Sequence, residues 1–247
     1  VKTIALLGPT ASGKSSVALA VAERNPSLEI VSIDAMQVYR GMDIGTAKPS
    51  AAERERVRHH LIDIVDPAEE FTVARFQSEY REVRADLARR GRHALLVGGT
   101  GLYARAAIDS LEIPGQWPAI RERLEREADE IGAPALHLRL TRLDPVAATK
   151  MEPTNSRRIV RALEVIEGSG QPFSSFGPGV DSYPETDVIQ FALRWPRVAL
   201  SRRIEERVDA MLAAGWLDEV RALESVPTSR TAAAALGYEE LRRHLSG

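Results

Sequence analysis

Thr3-Ile4-Ala5-Leu6-Leu7-Gly8-Pro9-Thr10-Ala11-Ser12-Gly13-Lys14-Ser15 is the stretch on which the fold turns. Its first five residues are apolar and β-prone, and they run straight into a loop whose residues 8–15 match G-x-x-x-x-G-K-[ST] in full. Helical character follows from Ser15 to Arg24, with Val17, Leu19 and Val21 set among alanines. Strand, glycine loop and helix in this order are the context in which the motif has a mechanism. Gly8 and Gly13 allow backbone angles closed to other residues. Successive N–H groups along Pro9-Thr10-Ala11-Ser12 and its flanks, all but that of Pro9, which has none, can then cradle an anion, and the helix N-terminus adds positive potential. Lys14 supplies a mobile full charge, and the Ser15 hydroxyl is a candidate ligand for Mg2+. A chance glycine turn would lack this flanking pattern. The loop identifies a receptor for a diphosphate, but not a reaction, because most such loops serve ATP or GTP.

Further strands and helices follow outward from this loop. Glu29 to Ile33 reads as a second strand closing at Asp34, and His60 to Val65 as a third, ended by Asp66-Pro67. Thr72 is placed to cap a helix running through Arg90 and stopped by Gly91, with Val73, Phe76, Tyr80, Val83 and Leu87 at helical spacing. His93 to Val97 is a fourth strand, ending in Gly98-Gly99-Thr100-Gly101. This rhythm implies an α/β protein: a P-loop NTPase-like, mainly parallel sheet with helices on both faces. The glycine-rich loops fall at strand C-termini, where open α/β sheets bind ligands.

The middle of the chain has a different texture. Ile120 to Ile131 is a charge-dense helix candidate, Pro134 to Leu143 is helical or extended, and Asp144-Pro145 breaks it. Ser156 to Glu167 reads as a helix stopped by Gly168, and Gln171 to Glu185, rich in Pro, Gly and Ser, as a loop. Val188 to Leu193 resembles a returning strand, and Val198 to Leu223 one long helix or a pair broken at Gly215. The expected organisation is a core of residues 1–112 and 188–247 with a mostly helical insertion at 113–187.

Composition narrows the class. The chain has 247 residues, with 44% hydrophobic and 28% charged, as in ordinary globular proteins. It has no cysteine, so disulfides and thiolate metal sites are excluded. A net charge of −2 argues against indiscriminate nucleic-acid binding, though not against a local basic site. No stretch nears the length of a membrane span, and the first strand, running into a glycine loop, does not read as a signal peptide. Cytoplasm and a monomer are the expectations. The chain opens at Val1, which reads as a trimmed or alternatively initiated product.

In an ordinary nucleotide hydrolase the metal has a second acidic ligand at the end of a neighbouring strand. Here Ala94-Leu95-Leu96-Val97 ends in glycines, leaving Asp34 and Asp63 as alternatives. A carboxylate at Asp34 could ligate metal, or accept a proton from a nucleophile approaching a bound diphosphate. Taken alone, Asp34 reads more simply as a helix cap.

The segment Asp34-Ala35-Met36-Gln37-Val38-Tyr39-Arg40-Gly41-Met42-Asp43-Ile44-Gly45-Thr46-Ala47-Lys48-Pro49 changes that weighting. It resembles the signature of the tRNA dimethylallyltransferases. So do Gly8 to Ser15, His59-His60-Leu61-Ile62-Asp63, Gly98 to Tyr103, Arg157 to Glu164 and Arg203-Ile204-Glu205-Glu206-Arg207. The matches extend from Thr3 to Tyr238, and Gly-Thr-Ala-Lys-Pro at 45–49 is the most discriminating string. Adenylate isopentenyltransferases share the loop and the Asp34 segment, but resemble that string less.

The resemblance implies that the loop holds dimethylallyl diphosphate instead of ATP. The prenyl group would then pass to N6 of the adenine 3′-adjacent to the anticodon in tRNA, and diphosphate would leave. Asp34 would act as general base on the adenine amine, Thr10 would sit near the bridging oxygen, and Lys14 and Arg207 would neutralise the diphosphate. Asp34, Ala35, Met36, Gln37, Thr100, Arg121, Arg157, Arg158, Ile159, Val160 and Arg161 would contact the anticodon stem-loop, with Ala234 to Glu239 as a further contact segment. From periodicity alone Arg203 and Arg207, spaced i,i+4, read as solvated; only the resemblance promotes Arg207. Lys150 to Arg161 and Arg194 to Arg207 each carry a local charge of +3, which suits RNA phosphates. Ala35 stands where the family usually has serine, implying one hydrogen bond fewer. Family members usually continue past Gly247 with a basic, aromatic-containing helix, so truncation is expected. The alternatives are an adenylate isopentenyltransferase or a P-loop nucleoside-type kinase, and, from another class, a non-catalytic nucleotide-binding module.

Overall fold

The computed structural model describes residues 1–109, 111–176 and 184–247. In chain order the elements are β1 (Thr3–Leu7), α1 (Lys14–Arg24), β2 (Leu28–Ser32), α2 (Ala51–Arg56), β3 (His59–His60), α3 (Val73–Arg89), β4 (His93–Gly98), α4 (Gly101–Ile108), α5 (Pro118–Ile131), α6 (Ala133–Leu143), α7 (Pro145–Ala148), α8 (Ser156–Ser169), β5 (Ile189–Ala192), α9 (Arg197–Ala213), α10 (Trp216–Ala222), α11 (Arg230–Ala233) and α12 (Tyr238–Ser246). A turn of 3-10 helix spans Phe173–Ser175. The chain divides into two compact units, Val1–Asp109 with Glu185–Gly247, and Ser110–Pro184.

The first unit is built on a five-stranded sheet of order β3-β2-β4-β1-β5, parallel at every pairing. Side chains alternate across each strand. Leu6, Leu28, Ile30, Leu95 and Val97 face α1 and pack on its Ala18 and Ala22. Ala5, Val31, Ala94 and Leu96 face the opposite way, into a core with Phe76 and Tyr80 of α3 and Tyr103 of α4. The small Ala18 and Ala22 are the residues that α1 buries against this face of the sheet. Register places Leu7 beside Gly98 and Ser32 beside Val97, so the loops after β1, β2 and β4 emerge side by side at one sheet edge.

Several helix ends follow local chemistry. Thr72 caps α3 by accepting from the Arg75 N–H at 3.3 Å. Gly215, at φ +97°, separates α9 from α10. Two expectations are corrected. His60 to Val65 is not a full strand: β3 stops at His60 because Leu61 and Asp63 take left-handed φ of 60° and 55°. Gly168 does not stop α8, which continues to Ser169 and ends at Gly170, φ +71°. A Cβ on Gly168 would lie 2.0 Å from the Trp117 indole, so its glycine answers to packing and not to termination.

The second unit, α5 to α8, has its own core of Leu124, Leu136, Leu140, Ile159, Val160 and Leu163. Buried Asp144 caps α7 through the Ala147 N–H and accepts from both the N–H and the hydroxyl of Ser174. The Gln171 to Glu185 loop includes the 3-10 turn, while residues 177–183 lie outside the described residues.

Candidate active site

The phosphate-type loop takes the backbone its glycines permit: Gly13 has φ +86°, and Ala11, not a glycine, has φ +58°. The Ser12 N–H donates to the Pro9 carbonyl at 3.3 Å, and the Lys14 ammonium reaches the same oxygen at 3.3 Å. Gly8 cannot carry a side chain, since a Cβ would meet the Ser12 hydroxyl at 2.8 Å and Leu193 at 3.3 Å. The end of β4 has the same constraint: a Cβ on Gly98 would lie 2.9 Å from the Ile33 backbone, and one on Gly99 2.8 Å from the Gly8 carbonyl. That crowding leaves no room for a carboxylate side chain at either position.

Asp34 follows β2 at the same edge and is half-buried. Its Oδ1 accepts from the Met36 N–H at 2.9 Å, which turns the chain over the sheet edge. Its charge acts on two cations from opposite ends of the sequence. Burial pushes Lys14 below its ordinary value, while Asp34 raises it and Arg207 lowers it. Burial likewise lowers Arg207, and Asp34 raises it. Lys14 and Arg207 thus both respond to the Asp34 charge, although Asp34 and Arg207 are far apart in sequence.

The residues after Asp34 are held inward. The Ala35 N–H donates to Thr100 Oγ1 at 3.3 Å, and Ala35 and Met36 pack against the core. Gln37 bridges two segments: Oε1 accepts from the Ser32 hydroxyl at 2.8 Å, and Nε2 donates to the Ala47 carbonyl at 3.1 Å. The Gly-Thr-Ala-Lys-Pro string is architectural. Lys48, 1% exposed at its side chain, pairs with Asp43 at 2.7 Å and Asp63 at 2.5 Å, and donates to the Tyr39 carbonyl. Arg54 closes on the other Asp63 oxygen at 2.5 Å. Asp63 is therefore occupied by two cations and is not poised as a metal ligand.

A cavity of about 670 Å³ opens beside the loop. Lys14 and Ser15 form one side, Ile44 and Ala47 another, and Arg207 and Met211 of α9 a third. Lys14, Ser15 and Arg207 line it, while Thr10, exposed on the loop, and Asp34 do not. Among the described residues, no group of three His, Asp or Glu side chains could hold a metal ion unaided. Were Mg2+ to bind here, the Ser15 hydroxyl would be its protein ligand, with ligand oxygens and water supplying the rest, the usual habit of that ion.

In the helical unit the basic residues separate into two kinds. Arg157 and Arg158 are exposed at the start of α8. Arg161 and Arg121 instead converge on Glu164, whose side chain is 1% exposed, at 2.9 Å and 2.7 Å. Glu164 also accepts from the Trp117 N–H at 2.8 Å, and Arg161 donates to the Pro114 carbonyl at 2.8 Å. Ile159 and Val160, 0% and 3% exposed, are core residues. This corrects the expectation of RNA contact for their side chains: the helical period that exposes Arg157 and Arg158 turns them inward.

The chain matches the family model described as IPP transferase over residues 37–247, and that described as isopentenyl transferase over residues 1–70. It is 48% identical to the tRNA dimethylallyltransferase of Bifidobacterium animalis subsp. lactis, covering 100% of this chain and 72% of that protein. It is 50% identical to the Thermobifida fusca enzyme of the same name, covering 99% and 78%. The chain belongs to the IPP transferase family. Among solved structures, the full-length tRNA isopentenylpyrophosphate transferase of Bacillus halodurans superposes with a TM-score of 0.66 at 39% identity, covering 100% of this chain and 78% of that one. A eukaryotic dimethylallyltransferase acting on tRNA gives 0.75 at 28% identity, covering 90% and 56%.

Within this IPP transferase, Glu219 and Trp195 belong to no motif read from the sequence, and Arg203, though inside the string Arg203 to Arg207, was assigned no role there. Glu219 of α10 accepts from the N–H groups of Asp43, Ile44 and Gly45 at 2.8, 2.7 and 3.2 Å, and from the Tyr238 hydroxyl at 2.6 Å. Trp195 donates to the Ser12 carbonyl at 3.0 Å, and Arg203 to the Ala11 carbonyl at 2.8 Å. All three lie in mixed-polarity segments, and the main-chain groups they bind stand more than 170 positions away.

Proposed function

We propose that this IPP transferase moves a dimethylallyl group from dimethylallyl diphosphate to N6 of the adenine 3′-adjacent to the anticodon in tRNA, releasing diphosphate. The observation that carries the reading is the motif-perfect phosphate loop whose cavity is lined by Lys14 and Arg207, with Asp34 following β2 at the same sheet edge and acting electrostatically on both cations. The allylic C1–O bond breaks as the N6–C1 bond forms. The bonding pair of C1–O leaves with the diphosphate, where Lys14, Arg207 and the loop N–H groups receive the charge. Thr10, on the loop, would donate to the bridging oxygen. The adenine amine, a weak nucleophile, loses its proton to Asp34 after being oriented by it. Mg2+, held by Ser15 and the diphosphate oxygens, would supply further charge neutralisation.

The RNA surface follows from the two kinds of arginine. Arg157 and Arg158 are positioned for phosphates, whereas Arg121 and Arg161 act through the shape that Glu164 gives the helical unit. Thr100 and the Asp34 to Gln37 segment would border the target adenine, which must enter unstacked. We further propose that the enzyme works as a monomer in the cytoplasm. No helix among the described residues is long and apolar enough to cross a membrane. Incubation with labelled dimethylallyl diphosphate and tRNA, AMP or ATP tests the assignment. Label in tRNA alone is expected; label in AMP would point to an adenylate isopentenyltransferase, and phosphate release from ATP to a kinase.

A further inference from the structure

We infer that Trp195 and Arg203 are positioning residues that hold the phosphate loop in its anion-binding conformation through its carbonyls, Arg203 from the wall of the cavity itself. The inference rests on the diphosphate reading above. Both residues lie on the segment that leaves β5 and enters α9, and both bind loop carbonyls. Trp195 Nε1 donates to the Ser12 carbonyl at 3.0 Å, and Arg203 Nε to the Ala11 carbonyl at 2.8 Å. The two side chains also stack on each other, with the guanidinium carbon 4.4 Å from the indole ring centroid. The terminal nitrogen Nη2 of Arg203 lies 3.7 Å from where a side chain on Gly13 would begin. One stacked pair therefore spans Ala11, Ser12 and Gly13.

Peptide geometry turns this into a consequence for binding. In a trans peptide the C=O and the following N–H point in opposite directions. Tying the Ser12 carbonyl to Trp195 turns the Gly13 N–H the other way, away from the indole. Tying the Ala11 carbonyl to Arg203 turns the Ser12 N–H back over the loop, where it meets the Pro9 carbonyl. Ala11 sits at φ +58°, a conformation unfavourable for any residue with a Cβ, so neighbouring contacts must sustain it. Arg203 supplies one of those contacts at the Ala11 carbonyl itself. The stacked indole in turn restricts the guanidinium, whose Nε would otherwise be free to turn toward solvent.

Binding of inorganic pyrophosphate and of dimethylallyl diphosphate, with steady-state kinetics in both substrates, tests the inference on the full chain. Trp195→Phe keeps an aromatic ring for the guanidinium, though a smaller one, and loses the N–H donor. Arg203→Lys keeps the charge and loses the planar stacked donor. Each is expected to weaken pyrophosphate binding and raise KM for dimethylallyl diphosphate by about tenfold, the scale of one well-aimed hydrogen bond, while KM for tRNA stays put. The double variant should be little worse than either single one, because the pair acts as a unit. Wild-type pyrophosphate affinity in Arg203→Lys would overturn the inference, since charge alone would then suffice. Fully multiplicative losses in the double variant would also overturn it, by making the two contacts independent. Thermal unfolding of Trp195→Phe guards against a general loss of structure. Failure of the wild-type protein to bind pyrophosphate would instead remove the diphosphate reading itself.

Discussion

Asp34 and Lys14 make opposite predictions for substitution. Asp34→Ala removes the proposed base and leaves the loop N–H groups in place, so transfer to tRNA should be abolished while pyrophosphate binding stays nearly intact; unchanged turnover would refute that role. Lys14 owes its lowered pKa first to burial. It must be protonated to meet an anion, so diphosphate affinity should fall as pH rises, starting below the ordinary lysine value of 10.5. A titration of KM for dimethylallyl diphosphate across the alkaline range checks this, with no change below 10.5 as the contrary result. The arginines of α8 divide in the same manner. Arg157→Ala and Arg158→Ala should weaken tRNA binding at unchanged stability. Arg161→Ala should lower the melting temperature, because it withdraws a partner from the buried Glu164 carboxylate.

Elements α10 and α12 are where the segment beyond Asp34 is fixed. A single carboxylate, Glu219, satisfies three successive main-chain N–H groups and one phenol. Glu219→Ala would leave those donors without their acceptor and should destabilise the protein by roughly 3 kcal/mol, measured by urea unfolding. Packing adds a second constraint, since a Cβ on Gly45 or Gly237 would lie 2.2 Å from the Trp216 indole. Glycine is also where sequence reading met its limit. Gly8 and Gly13 were legible, because the motif specifies their spacing. Gly168 was misread, because a glycine that makes room for Trp117 and one that ends a helix look the same in a single chain. Leu61 and Asp63 concealed the end of β3, since neither residue type announces a left-handed backbone.

The protein as a whole depends on carboxylates that remain ionised in the folded state. Glu29, buried on β2, binds Arg90 at 2.8 Å and His60 at 2.7 Å. The Arg90 hydrogen bond is the main cause holding it at about 2, below its ordinary 4.5. A depressed carboxylate stabilises the fold fully above the unfolded value and loses that contribution as pH falls from 4.5 toward 2. Stability should therefore decline through that window, and Glu29→Gln should flatten the decline in acid unfolding curves. What the sequence exposed across the chain was periodic or local: alternating strands, capped helices, glycine loops. What it concealed was long-range pairing, such as Arg203 with Ala11 or Glu219 with Gly45, since one chain carries no mark of which charged helix residue meets which distant amide.

The order of the strands also bears on biosynthesis. β1 ends at Leu7, but its outer neighbour β5 begins only at Ile189, after the whole helical unit. At about 5–20 residues per second, a ribosome would take on the order of ten to forty seconds to deliver it. Throughout that interval the nascent sheet keeps an unpaired margin along β1, the kind of surface that invites mispairing and chaperone capture.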